Sequence, residues 1–401
     1  MSYPVLPTST TSQQKQTRRT RFVCISDTHN ATVKLPKGDV LIHCGDLTNQ
    51  GSFSELSKQV EWLEKADFEC KIVVAGNHDL TLDSEFFLRH GDIIHNRVQQ
   101  NPKKCQALIK GSPTLTYLEH ESRIFKLSSP SGPRTTCSVF GSPYSPAWGT
   151  WAFQFSRDDG GATASALWDQ IPLDTDILIT HGPALTHCDK ARTNDLAGCE
   201  SLHHAYWRVR PRLALCGHIH EARGVERVKW DLNLRHGELG RTGWEDPHPD
   251  TEKNALVDLT MKGGAPLDND GGSHKTDRAP QEIPKAPRAM LDLEKECREK
   301  LSIPSAPKAM LGLKSKEPGI PTAPKAMRER QRDADEMDVD SPKVDEDAAV
   351  GRLGRRETCV INCAIRTSIW PHARRLNKPI VVDIDLPIWE DEDPQHMIIS
   401  E

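Results

Sequence analysis

Hydrophobic positions in the first 235 residues fall into short runs that stop abruptly at polar residues. Phe22–Ile25, Val40–Cys44, Lys71–Ala75, Asp176–Thr180 and Leu213–Cys216 read as buried strands, too short and too β-branched for helices. Between them, Phe53 to Ala66 places Leu56, Val60 and Leu63 on one helical face. Strand, helix, strand in this cadence predicts βαβ units, whose ligand site lies beyond the carboxyl ends of the strands. Residues 80–110 read as helical or irregular, followed by shorter β-like pieces around Thr116–Leu118, Ile124–Leu127 and Thr136–Phe140. The order of elements alone gives an α/β class.

From about Gly240 the pattern lapses. Pro, Lys, Glu, Asp, Gly and Ala dominate to about Gly351 without sustained apolar periodicity, which predicts disorder. Three octets recur there, Ile283–Met290, Ile303–Met310 and Ile320–Met327, at uneven spacings that argue against a stacked solenoid. They read either as low-complexity drift or as a repeated peptide that docks one protein partner several times. Strand-like runs return at Thr358–Ala364 and Pro379–Ile384. The expected organisation is a disordered lead-in (1–20), a domain (21–239), a disordered insertion (240–352), closing strands of the same domain (353–390) and an acidic tail (391–401).

Composition narrows the setting. A net charge of −5 gives no reason to expect a nucleic-acid surface, and no apolar run is long enough for a membrane span. The eleven cysteines lack C-x-x-C pairs, and several sit in strand-like runs. They read as reduced core thiols of an intracellular protein, cytoplasmic or nuclear.

What the strands deliver is more telling. Each of the five strands ends in metal-capable side chains: Asp27 and His29; Asp46; Asn77 and His78; His181; His218 and His220. Carboxylate, amide and imidazole donors without thiolates suit divalent Mn, Fe or Zn. One carboxylate can bridge two such ions in a hydrolytic centre. His187, Cys188, Cys199, His203 and His204 could be drawn as a zinc cluster, but their spacing matches no common finger. Trp148, Trp151 and Phe153 read as loop packing, with base stacking the sharper alternative.

The blocks D-x-H, G-D, G-N-H-D, H-G-P and G-H-x-H, in this order over residues 20–235, resemble the calcineurin-like metallophosphoesterase superfamily. Gly38–Asp46, Gly141–Pro143, Trp151–Phe153, Ile179–Pro183 and Gly217–Glu221 are similar to its metallophosphoesterase-domain-containing (MPPED-type) phosphodiesterase subgroup. The resemblance implies a four-layer α/β/β/α sandwich of two mixed sheets, interrupted by the long insertion. It implies one ion on Asp27, His29 and His220, a second on Asn77, His181 and His218, and Asp46 as the bridge. His78 would protonate the leaving oxygen, with Asp79 orienting it and Asn77 and His78 touching phosphate. Arg157 is a further phosphate-binding candidate. The expected activity is hydrolysis of a small phosphodiester or nucleotide by water activated on two ions, most simply manganese. A phosphomonoesterase or protein phosphatase on the same site is the alternative, and a scaffold acting through the octets is the rival from outside enzymes.

Overall fold

The computed structural model describes residues 16–95, 98–249, 251, 253–269, 354–367 and 376–389. The chain opens with strands β1 (Thr17–Ile25) and β2 (Val40–Cys44), helix α1 (Phe53–Glu64) and strand β3 (Cys70–Val74). Helices α2 (Ser84–Ile94) and α3 (Pro102–Lys110) lead to β4 (Thr116–Tyr117), β5 (Glu121–Lys126) and β6 (Thr136–Ser142). A small pair, β7 (Ser145–Pro146) and β8 (Gln154–Phe155), precedes α4 (Ala162–Trp168), β9 (Ile177–Thr180), α5 (Glu200–Val209) and β10 (Leu213–Cys216). Strands β11 (Gly224–Asp231), β12 (Gly237–Trp244), β13 (Ala255–Leu259), β14 (Glu357–Asn362) and β15 (Ile380–Pro387) complete it.

Local signals explain the helices. Ser52 caps α1 with a capping box to Glu55, and α1 buries Leu56, Val60 and Leu63 as its periodicity predicts. Asp83 accepts from Phe86 N to start α2, and Asn101 with Pro102 starts α3.

Two mixed sheets stack face to face. One runs in the order β13-β15-β1-β2-β3-β4 and the other β12-β11-β14-β10-β9-β6-β5. Alternate residues of each strand serve different layers, as a period of two requires. Phe22 and Cys24 of β1 point between the sheets, where they meet Ile177, Ile179, Leu213, Leu215 and Ile361. Val23 and Ile25 point the other way, into the layer of α1, α2 and α3. The opposite face of the second sheet is covered by α4 and α5 through Trp168, Leu202 and Tyr206 against Leu178, Ala214 and Trp230. The α/β/β/α sandwich is therefore present.

The expected break at residue 240 falls too early. Strand β12 runs through Trp244, and β13 pairs in parallel with β15, so ordered sheet extends well into the 240–352 segment. The reason is visible in the sequence: β12 is an edge strand, mostly solvated and polar, and β13 is five residues long. Likewise β1 starts at Thr17, inside the expected lead-in, because Thr17–Arg21 pair with Asp383–Pro387. The three octets and the acidic tail lie outside the described residues.

The late strands occupy interior positions. β14 sits between β10 and β11, and β15 between β1 and β13. Asn269 and Arg355 form an antiparallel bridge, so the two ends of the intervening segment lie side by side. A chain stopped after residue 343 loses both strands and should show no cooperative thermal transition by circular dichroism. Excising 274–343 should leave the transition at the same or a slightly higher temperature, since it only shortens the connection between Asn269 and Arg355, which already pair.

Candidate metal centre

All five strand ends converge on one rim. Asp27, His29, Asp46 and His218 each adopt positive φ, between 45° and 67°. A left-handed residue just past a strand turns the chain sharply, at a cost of about 1–2 kcal/mol for a residue with a side chain. That kink is what lets separate parallel strands aim at a common point. Glycines make room for it: a Cβ on Gly76 would collide with the Asp46 carboxylate, and one on Gly217 with Ser26 and the Asp27 carboxylate.

Two triads of expected ligands share this rim, and His78 makes a third close group with His29 and Asp46. Ligand atoms of Asp27, His29 and His220 lie within 4.8 Å of one another, as do those of Asp46, His181 and His218. His220 Nε2 is 3.3 Å from Asp27 Oδ1 and 3.3 Å from His29 Nε2. Asp46 reaches both triads, with Oδ2 3.6 Å from His29 Nε2 and Oδ1 3.5 Å from His181 Nε2. Asn77 Oδ1 lies 2.9 Å from His181 Nε2. The seven residues expected as ligands are thus brought together, with Asp46 lying between the two triads.

The imidazoles are oriented from behind. His29 Nδ1 donates to Thr48 O at 3.1 Å and His181 Nδ1 to Cys44 O at 2.9 Å, so each Nε2 faces the centre. The carboxylates are steadied by backbone donors, His218 N on Asp27 and His78 N on Asp46. Burial would raise the Asp27 carboxyl, but the hydrogen bond and charge of His220 together with the charge of His181 outweigh it and hold it well below the usual range. Burial raises Asp46 too, and is outweighed by the charge and hydrogen bond of His181 combined with the charges of His78 and His29. Burial pushes His29 down to about 4 and His218 to about 3. It opposes charge on His181 as well, yet Asp46 carries that ring up to about 9. Buried carboxylates, inward-facing imidazole nitrogens and an amide oxygen fit two borderline divalent ions. Together they form a dinuclear metal site.

His78 stands at the mouth of the site. Its Nδ1 donates to Asn49 O at 2.8 Å, and its ring lies 4.0 Å from the Trp151 indole, centroid to centroid. Asp79 does not orient it. The Asp79 carboxylate instead turns inward and accepts from Gly76 N, Leu47 N, Thr48 N and Thr48 Oγ1. It is a strut between the loop bearing Asp46 and the loop bearing Asn77 and His78, and burial with the nearby Asp46 pushes its carboxyl up to about 6. Arg157 is also elsewhere: its guanidinium donates to Ala197 O at 2.6 Å and does not line the cleft.

A cleft of about 410 Å³ opens above the rim, lined by Asn49, Trp148, Trp151, Arg366 and Thr367 besides the ligands and His78. Arg366 Nε donates to Thr28 O and its Nη2 to His29 O. Asn362, at the end of β14, donates to Cys188 O, Gly217 O and Ile219 O, bracing the turn that carries His218 and His220. The sequence reading missed Arg366 and Asn362. The strand-end position of Asn362 was the available signal, and Arg366 offered none.

Comparison with known proteins adds to this geometry. The family model for calcineurin-like phosphoesterases matches residues 20–222. A protein named probable rhamnogalacturonate lyase C, from Emericella nidulans, is 43% identical over 217 residues, 54% of this chain but 18% of that protein. Metallophosphoesterase domain-containing protein 1 of Homo sapiens is 39% identical over 217 residues, 51% of this chain and 62% of that protein. UPF0046 protein K07C11.7 of Caenorhabditis elegans is 34% identical over 207 residues, 51% of this chain and 65% of that protein. The matches span less than two thirds of the length of each of these relatives.

Asp79→Ala should destabilise the protein by about 3 kcal/mol or more, since it orphans buried backbone donors. It should also lower metal retention. Asp79→Asn, which keeps one acceptor oxygen, should fall between wild type and the alanine variant in both chemical denaturation and metal analysis.

Proposed function

The chain belongs to the calcineurin-like phosphoesterase family, and from that premise we propose that it hydrolyses small phosphodiesters, cyclic nucleotides among them, on two manganese ions. The observation that carries the reading is the shared Asp46 between two buried triads, directly beneath an open cleft with His78 on its wall. Asp27, His29 and His220 would hold one ion, Asn77, His181 and His218 the other, with Asp46 common to both. Ions held there supply charge that clamps phosphate oxygens and activates a water for in-line displacement.

The protein's own groups do the rest. His78 keeps its Nδ1 proton on the Asn49 carbonyl, which can only accept. The ring therefore delivers a proton to a departing alkoxide from Nε2, as the imidazolium. Trp151 packs against that ring and limits its rotation. Arg366, anchored on the backbone of Thr28 and His29, brings positive charge to the side of the cleft beside the first triad. Trp148, largely exposed on the rim, offers a flat apolar face to a nucleobase, which supports a diester with an aromatic substituent over a bare phosphate.

His78→Ala should lower kcat at least about 100-fold with metal content unchanged, in line with loss of a general acid. Asp46→Asn should lower both turnover and bound metal, measured by elemental analysis. Wild-type turnover in His78→Ala would remove the proton-donor role.

Substrate class is tested separately, on stripped protein resupplied with Mn²⁺, Zn²⁺ or Mg²⁺. Bis-p-nitrophenyl phosphate should be hydrolysed faster than p-nitrophenyl phosphate, and fastest with Mn²⁺. Activity confined to the monoester would overturn the diesterase reading and leave the metal centre standing.

A further inference from the structure

A second cluster of metal-capable side chains lies outside the dinuclear rim. His187, in the loop after β9, His203 on α5 and Glu238 on β12 bring one ligand atom each within 4.8 Å of one another. His187 Nε2 is 3.0 Å from His203 Nδ1 and 3.3 Å from Glu238 Oε1, and His203 Nδ1 is 3.9 Å from the same oxygen. A tetrahedral zinc ion with ligands at about 2.0–2.1 Å separates its donors by about 3.4 Å, a value these three edges bracket. The cluster is well enclosed: the side chains of His187 and Glu238 are 0% and 5% exposed, while His203 at 15% leaves one path from solvent.

Hydrogen bonding behind the rings points the same way. His187 Nδ1 lies 2.6 Å from Glu226 Oε1, and His203 Nε2 3.3 Å from His236 O. A carbonyl and an ionised carboxylate only accept, so both outer ring nitrogens carry protons. The two inner nitrogens then face each other across 3.0 Å, close enough that either a third proton or a metal ion must lie between them. Imidazoles whose outer N–H is held by a carboxylate or a backbone carbonyl are the usual form of metal-ligating histidine. The loop is built to hold His187 there. Thr186 and Cys188 on either side of it adopt positive φ, and Asp189 Oδ2 accepts from Thr186 N and Gly198 N. Arg241 donates to Glu238 and to Thr186, closing the edge of the cluster and fixing the carboxylate.

We propose that His187, His203 and Glu238 form a third, structural metal site for a zinc-class divalent ion, with water as the fourth ligand. The ion would tie three separate pieces of chain together: the loop after β9, helix α5 and the β11–β12 hairpin. The cysteines nearby take no part. Cys199 Sγ accepts from Trp168 Nε1 at 3.3 Å, and the cluster holds no thiol ligand. Glu226 stays behind His187, and Glu238 shares its charge with Arg241, so two neutral imidazoles carry most of the binding. A proton is the competing occupant, held by His187 between Glu226 and His203.

The test uses the full chain, stripped with a chelator, equilibrated with excess ZnCl2, desalted and analysed for zinc per chain. Wild type should hold one ion more than either His203→Ala or Glu238→Gln, with the variants checked for wild-type circular dichroism. Crystals of the wild-type chain grown with zinc should show an anomalous peak at the zinc edge between His187 Nε2, His203 Nδ1 and Glu238 Oε1. Equal zinc content in folded wild-type and variant chains would overturn the proposal in favour of the proton-bridged pair. So would an anomalous map with peaks at the dinuclear rim and none here, and that map decides alone if the variants fail to fold.

Discussion

The burial of the Asp46 carboxylate is the constraint from which much of this structure follows. Taking a carboxylate out of water costs several kcal/mol unless charge and hydrogen bonds replace the solvent. Asp46 and Asp27 are both almost wholly buried, and both are ringed by imidazoles. His181 is the nearest such partner of Asp46, and the carboxylate in turn carries that ring up to about 9 against the effect of burial. Each carboxylate also takes a backbone N–H from another strand end, His78 N for Asp46 and His218 N for Asp27. Those bonds require loops pressed close together, and close loops require glycine at positions 76 and 217. The strained residues are stable only because stiff parallel strands hold their feet.

That stiffness comes partly from residues far along the chain. β14 and β15 enter the two sheets from beyond the long intervening segment and take interior places. They bring more than packing, since Asn362 grips the 217–219 turn and Arg366 grips the backbone of Thr28 and His29. The strand ends that carry donors and the late segment that braces them are therefore parts of one mechanical unit, although over 130 residues separate them in sequence.

How much of this was legible follows from the range of each signal. Strand ends announced themselves because alternation, apolar runs and the donor that follows are contiguous; eight candidate donors, His78 among them, could be named from residues alone and lie around one rim. Asp79 misled because it neighbours His78 in sequence, whereas the 76–79 turn sends the two side chains opposite ways. The carboxylate serves the loop beneath, and the imidazole serves the cleft. β12 and β13 were missed because an edge strand needs little apolar content and a five-residue strand gives too short a pattern among prolines and charges. Arg366 was unreadable for a different reason. An arginine far from every motif acquires its position only through the return of β14. Glu238 likewise completes a cluster with His187 and His203 by hairpin geometry that no spacing rule encodes.

Chemistry and selectivity are divided between two kinds of structure. The donors stand on strand ends fixed by both sheets, so the metal site has little freedom to vary. The cleft above takes Trp148 and Trp151 from one loop, and Arg366 and Thr367 from the segment after β14. Loops tolerate change where strand ends do not. Substitutions at Trp148 or Thr367 can therefore alter what the cleft admits without touching the metal site, whereas substitutions at Gly76 or Gly217 disturb the metal site itself. What the cleft admits should accordingly track the loop residues, and the capacity to hold metal at all should track the glycines and the carboxylates they shelter.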